Sequence, residues 1–143
     1  MTGCEAYQTR RLERFNTSLK KLIKSHYRKN ERARDSFLEL VEHYIDKLRE
    51  NPSSNSFSED EGFPKGSHQA DFKFRKIKFR TPELDGNAGQ CRFMYVVHDA
   101  KRIVYLLWIY THEEFRKRPS DDDLRREFVG IQQESEQEQV KQE

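Results

Sequence analysis

The chain has 143 residues, 36% of them charged and 34% hydrophobic, which suits one domain with a small core and excludes a large one. Its net charge of +2 hides an asymmetry: residues 1–118 carry 24 Lys and Arg against 17 Asp and Glu (+7), whereas residues 119–143 carry 3 against 8 (−5). A basic body fits an anionic partner, RNA or DNA alike, and no apolar stretch approaches the ~20 residues that span a bilayer.

With no N-terminal apolar leader, the expected setting is cytoplasmic, without membrane contact. Cys4 and Cys91 lack metal-ligand spacing and read as reduced thiols of a cytosolic protein. No HxxE or HExxH pattern occurs, so neither a metal nor another cofactor is expected.

Residues Cys4 to Arg11 suggest a short edge strand. From about Glu13 to Tyr27, Phe15, Leu19, Leu22, Ile23 and Tyr27 recur at helical spacing, with Lys20, Lys21 and Lys24 opposite. Phe37, Leu40, Val41, Tyr44, Ile45 and Leu48 form the stripe of a second helix, about Glu31 to Glu50. It stops at Asn51-Pro52, because a residue before proline avoids the α region. Two such helices joined by a short polar link make an antiparallel hairpin.

Residues 51–70, rich in Ser, Asn, Gly and acidic residues, predict a long mobile loop. Strands follow at about Phe72–Arg80, Cys91–His98 and Arg102–Thr111, joined by a Pro/Gly-rich loop and a tight turn at Asp99–Lys101, as an antiparallel meander. The third strand is apolar on both faces and belongs in the sheet interior. Pro119-Ser120 and three aspartates signal a last helix ending near Phe128 or Ile131. Residues 131–143 are then expected to be an acidic, disordered tail on a single domain spanning 1–130. The fold class is α+β: a helical hairpin on a small antiparallel sheet of three to four strands, with a short C-terminal helix.

The chemistry concentrates in the first long strand, where Lys73, Arg75, Lys76, Lys78 and Arg80 fall within eight positions. Its apolar parity switches between Phe74 and Ile77, which suggests a bulge there. Beyond it Ile77 and Phe79 face the helices, leaving Lys76, Lys78 and Arg80 on the open face. Such lysines also guard an edge strand against aggregation, so the run alone has two readings. Arg92 projects from the same face and can clamp phosphate bidentately. His112 ends the last strand with an ordinary pKa near ~6.5, suited to proton transfer, although a histidine bonded to a backbone carbonyl would look the same. Trp108 and Tyr110 share its parity, and Phe115 stands where an aromatic could line a site.

Two N-terminal helices, the run Arg75-Lys76-Ile77-Lys78-Phe79-Arg80, then Gln90-Cys91-Arg92-Phe93-Met94-Tyr95, then Val104 to His112 resemble the RelE/ParE toxin superfamily. The resemblance spans residues 6–128 and is strongest over 72–118. It implies the toxin of a type II toxin–antitoxin system, a cytosolic mRNA interferase acting on mRNA at the ribosome and silenced by a cognate antitoxin. Its chemistry would be metal-independent attack of the RNA 2′-hydroxyl on the adjacent phosphate. Carried over by position, Lys76 and Lys78 match the family's basic strand residues and Arg92 its phosphate-stabilising arginine. His112 or Glu113 lies where the family places an acid or base, and Arg116 and Arg118 would contact the RNA backbone, with Lys73, Arg75 and Arg80. The family's frequent tyrosine after the last strand is missing; Phe115 stands near that place and cannot transfer protons. The superfamily also leaves open a ParE-like inhibitor of DNA gyrase, and the basic face alone would serve a non-catalytic interaction module.

Overall fold

The computed structural model describes residues 6–142, with side chains described through Glu136. Cys4, expected at the start of the edge strand, lies outside the described residues. Strand β1 (Gln8–Arg11) leads into α1 (Glu13–His26) and α2 (Glu31–Glu50). There follow β2 (Glu59–Asp60), β3 (Phe72–Arg80), β4 (Gln90–His98), β5 (Ile103–Thr111) and α3 (Asp121–Gln142).

The helical hairpin forms for the reasons its sequence gives. Phe15, Leu19 and Leu22 of α1 are buried, with Phe37, Val41, Ile45 and Leu48 of α2. Asn30 caps α2, its Oδ1 accepting from the Ala33 N–H at 3.1 Å, which satisfies one of the donors that every helix start leaves open.

The strands form one sheet in the order β1-β5-β4-β3-β2. β3, β4 and β5 make the expected antiparallel meander, with β5 in the interior. The sheet is mixed, however: β1 pairs in parallel with β5, from Gln8 beside Ile103 to Arg11 beside Leu106. Four residues suffice because α1 follows at once and brings the chain back across the sheet.

Both faces of the sheet are covered, which changes the reading of β3. On one face Ile77, Phe79, Phe93, Tyr95, Val97, Leu106 and Ile109 pack against α1 and α2. On the other, Phe74, Met94, Val96, Tyr105 and Trp108 pack against Leu124, Phe128 and Ile131 of α3. Phe74 is therefore core for α3 and Ile77 core for the hairpin, with no bulge between them; the β3–β4 ladder runs unbroken from Phe72–His98 to Arg80–Gln90. The irregularity sits in β5 instead. Met94 opposes Trp108 while Tyr95 opposes Leu106, leaving Leu107 as the extra residue. That shift brings Trp108, Tyr110 and His112 onto the α3 face.

α3 is longer than expected, running past Ile131 to Gln142. Its own Ile131 and Ser135 are buried against the sheet, Lys101 Nζ donates to the Ser135 carbonyl at 2.6 Å, and Arg10 pairs with Glu134 at 3.0 Å. Among the described residues, no helix is long and apolar enough to cross a membrane.

Past Leu106, β1 no longer covers β5, and the exposed ladder is closed by a side chain. The Ile109 N–H donates to Ser18 Oγ at 3.1 Å, and that hydroxyl donates to the Phe15 carbonyl at 2.9 Å. Ser18→Ala would leave the buried Ile109 N–H unpaired and is expected to cost about 1–3 kcal/mol, read as a lower denaturation midpoint at unchanged slope.

Candidate nucleic-acid site

Cross-strand pairing brings the basic residues into rows. Lys76 lies beside Met94 and Trp108, Lys78 beside Arg92 and Tyr110, and Arg80 beside Gln90. His112 extends the last row, its N–H donating to the Gln90 carbonyl at 3.0 Å. All these residues share the α3 face, where Met94, Trp108 and Tyr110 belong to the core beneath α3 and the charged side chains stand at its edge. The start of β4 is fixed by Gly89: a Cβ there would lie 2.5 Å from the Leu84 carbonyl oxygen, so only glycine lets the preceding loop close this tightly.

The electrostatics agree with that placement. Burial lowers the His112 pKa from its ordinary value, and the positive charges of Arg92, Lys76 and Lys78 lower it further. The imidazole is thus held neutral near pH 7, ready to accept a proton. Tyr110, beside Arg92, is shifted up by burial and by the charge of Glu61, so its phenol keeps its proton. Its hydroxyl donates to the Lys117 carbonyl at 3.3 Å.

Two acidic residues from outside the basic strands, Glu59 and Glu61, share the face. Glu61, its side chain only 12% exposed, binds Lys76 at 2.8 Å and Arg118 at 3.0 Å. Glu59 binds Lys78 at 2.7 Å, and the hydrogen bond from Lys78 holds its pKa below the ordinary value. Arg92 differs. Its guanidinium donates to the Cys91 carbonyl at 3.0 Å and Gln90 Oε1 at 3.4 Å, and it forms no ion pair among the described residues. An anion arriving at this face therefore finds Arg92 without a direct ion pair, its charge felt by Glu59 only at longer range, and the more exposed of the two lysine pairs alongside.

The remaining expected site residues divide between the edge of this face and other parts of the fold. Arg75 is the clearest correction, because it is 3% exposed and faces α2 rather than the basic rows. Its Nε donates to Ser58 Oγ and Tyr95 Oη, both at 3.3 Å. Nη1 pairs with Asp60 at 2.7 Å, and Nη2 donates to Asn55 Oδ1 at 3.0 Å, Ser58 Oγ at 2.9 Å and the Ser54 carbonyl at 3.3 Å. It cannot contact RNA; it ties down the 51–70 segment. Lys73 shares that face and pairs with Asp99 at 2.9 Å, at the opposite end of β3. Arg80 is exposed at the strand end, 3.7 Å from Asp85. Glu113 and Arg116 are exposed on the turn after β5. Phe115 packs edge-on against Trp108 and Tyr110, with centroids 5.8 and 5.5 Å away, and so braces the site. Arg118 is engaged by Glu61, the Gly62 carbonyl and Asp121.

The acidic pairing had a signal in the sequence. Glu59, Asp60 and Glu61 alternate along β2 and just beyond it, sending two carboxylates to Lys78 and Lys76 and one to Arg75 on the far face.

No protein-family model matches this sequence, and no curated protein sequence matches it. Among solved structures, the chain is similar to one titled an archaeal RelE–RelB complex from Pyrococcus horikoshii OT3, at 19% identity and a TM-score of 0.45, covering 80% of this chain and 99% of that one. It is also similar to a mutant of Escherichia coli toxin RelE in the free state, with two arginines replaced by alanine. That match has 21% identity and a TM-score of 0.43, covering 78% of this chain and 88% of that one.

Proposed function

We propose that the chain is a RelE-like toxin, an endoribonuclease that cuts mRNA through the rows centred on Arg92. The observation that supports this most is a guanidinium with no direct ion pair among the described residues, set near a neutral imidazole on one face and flanked by Lys78. In this reading His112 takes the proton of the ribose 2′-hydroxyl as it attacks the adjacent phosphorus. Arg92 and Lys78 hold the non-bridging oxygens, where negative charge builds in the pentacoordinate transition state. The P–O5′ bond breaks, and an ammonium of the same rows protonates the leaving 5′-oxygen. The products are a 2′,3′-cyclic phosphate and a 5′-hydroxyl, and no group beyond these side chains is required by the balance. The chemistry runs on the ribosome-bound message, in the cytoplasm. A phosphate entering beside Lys78 displaces Glu59 readily, because both partners of that pair are about half exposed.

An acidic antitoxin protein is the partner this face fits, since Glu59 and Glu61 already show that carboxylates dock on its lysines. Mapping of mRNA ends after induction tests the reading, with Arg92→Ala as control. New ends in the wild type alone support it. An arrest of DNA replication before translation, with no new RNA ends, would favour a gyrase inhibitor instead.

The pH profile carries a second prediction. With His112 as base, kcat/KM should rise with pH through a limb lying below the ordinary histidine value of ~6.5. Lys78→Met removes one of the charges that depress it and should move that limb to higher pH. A limb unmoved by Lys78→Met, and kept in His112→Asn, would take His112 out of the proton transfer.

A further inference from the structure

Beside the cationic rows, between α2 and the segment that carries β2, lies a cleft of about 480 Å³ lined by Tyr44, Lys47, Phe57, Glu59, Lys76 and Lys78. This is the size of cavity that takes one small organic group. Its chemistry is mixed in a particular way. Tyr44 and Phe57 offer ring surface, Tyr44 being braced by Phe79 at 5.0 Å between centroids. The Lys47 ammonium sits over the Phe57 ring at 5.3 Å, so that face already holds one π-bound partner. Glu59 supplies a hydrogen-bond acceptor, and Lys76 and Lys78 belong at once to the cleft and to the rows with Arg92. A ligand that uses both the ring surface of the cleft and the ammoniums of the rows is a planar group with an anion on one side.

We infer that the cleft is a nucleobase subsite, receiving the base next to the phosphate that Arg92 and Lys78 hold, stacked on Phe57 with Glu59 accepting from an exocyclic amine. This rests on the RNA reading of the rows. The ring surface comes from a stretch outside the basic strand: Phe57 belongs to the 51–70 segment that Arg75 anchors through Ser54, Asn55 and Ser58. The segment would then act as an affinity element through Phe57, because aromatic stacking holds any base, with Glu59 adding a preference for bases that carry an exocyclic amine.

The test is binding of the full chain to a short 2′-O-methyl RNA oligonucleotide, which cannot be cleaved by 2′-hydroxyl attack, with an abasic unit placed at each position in turn. One position is expected to be sensitive, its abasic form binding about tenfold more weakly. In Phe57→Leu, intact and abasic probes should bind equally. Lys47→Gln, which changes a half-buried polar residue at the cleft rim, should alter the same position and keeps the test valid if Phe57→Leu does not fold. Equal binding of every abasic probe by the wild type overturns the subsite and spares the phosphate clamp. Sensitivity that survives both substitutions also overturns it. Failure to bind any probe overturns both, whereas base-sensitive binding without RNA cleavage keeps the subsite and removes the nuclease.

Discussion

Replacing Arg92 with alanine is expected to lower RNA cleavage by roughly 10²–10³-fold, the scale of losing one preorganised donor to transition-state charge. The folded state should survive, because the guanidinium bonds only its neighbouring Cys91 carbonyl and Gln90 among the described residues. Arg92→Lys should recover part of the rate at most, since an ammonium is a point charge that cannot bind two phosphate oxygens in a fork. The pair of readouts separates chemistry from folding: cleavage rate falls while the thermal midpoint stays. The same loss from Lys73→Ala, at the other end of β3 and on the other face, would contradict the assignment, because that lysine should leave the rate unchanged.

The second large effect concerns stability. Arg75→Met keeps much of the side-chain volume and removes every hydrogen bond to Ser54, Asn55, Ser58, Asp60 and Tyr95. Hydrogen bonds to a charged group are worth about 1.5–3 kcal/mol, and the buried Ser58 hydroxyl would lose the donor it accepts from while keeping its own bond to the Ser54 carbonyl at 2.8 Å. The Asp60 pair adds less, because that carboxylate is largely exposed. The variant is therefore expected to lose roughly 1.5–3 kcal/mol by denaturant unfolding. Limited proteolysis should then cut first within 51–62. Because this segment carries Glu59, Glu61 and Phe57, its release should also free Lys76 and Lys78 from their carboxylates. Unchanged stability would show that the buried network is replaceable.

The helical hairpin was legible because its stripes depend on spacing alone: Phe37, Val41, Ile45 and Leu48 would be buried by any partner. The three long strands were legible for the same reason, and β3 has the expected bounds, Phe72–Arg80. What could not be read was which faces are covered. The parity switch in β3 suggests a bulge if only one face has a core; with α3 on the second face, Phe74 needs none. The parallel β1 depends on an edge of β5 left open far along the chain, and four residues with little apolar content carry no record of it. Arg75 and Lys76 are neighbours in a uniformly basic run, yet one turns into a buried network and the other onto the open rows. Alternation placed them on opposite faces, but only the Ser54–Asp60 segment decides that Arg75 is buried. Lys76, Lys78, Arg92 and His112 were identified as residues and do converge, whereas Glu59 and Glu61 emerge only when the long loop is seen lying against β3.

The most direct test is the chemistry of the cut ends. Message isolated after induction should carry 5′-hydroxyl groups and 2′,3′-cyclic phosphates at sites that are absent in Arg92→Ala, as attack by the neighbouring ribose hydroxyl requires. Cuts bearing 5′-phosphates, or hydroxyl ends appearing equally in the Arg92→Ala strain, would contradict it.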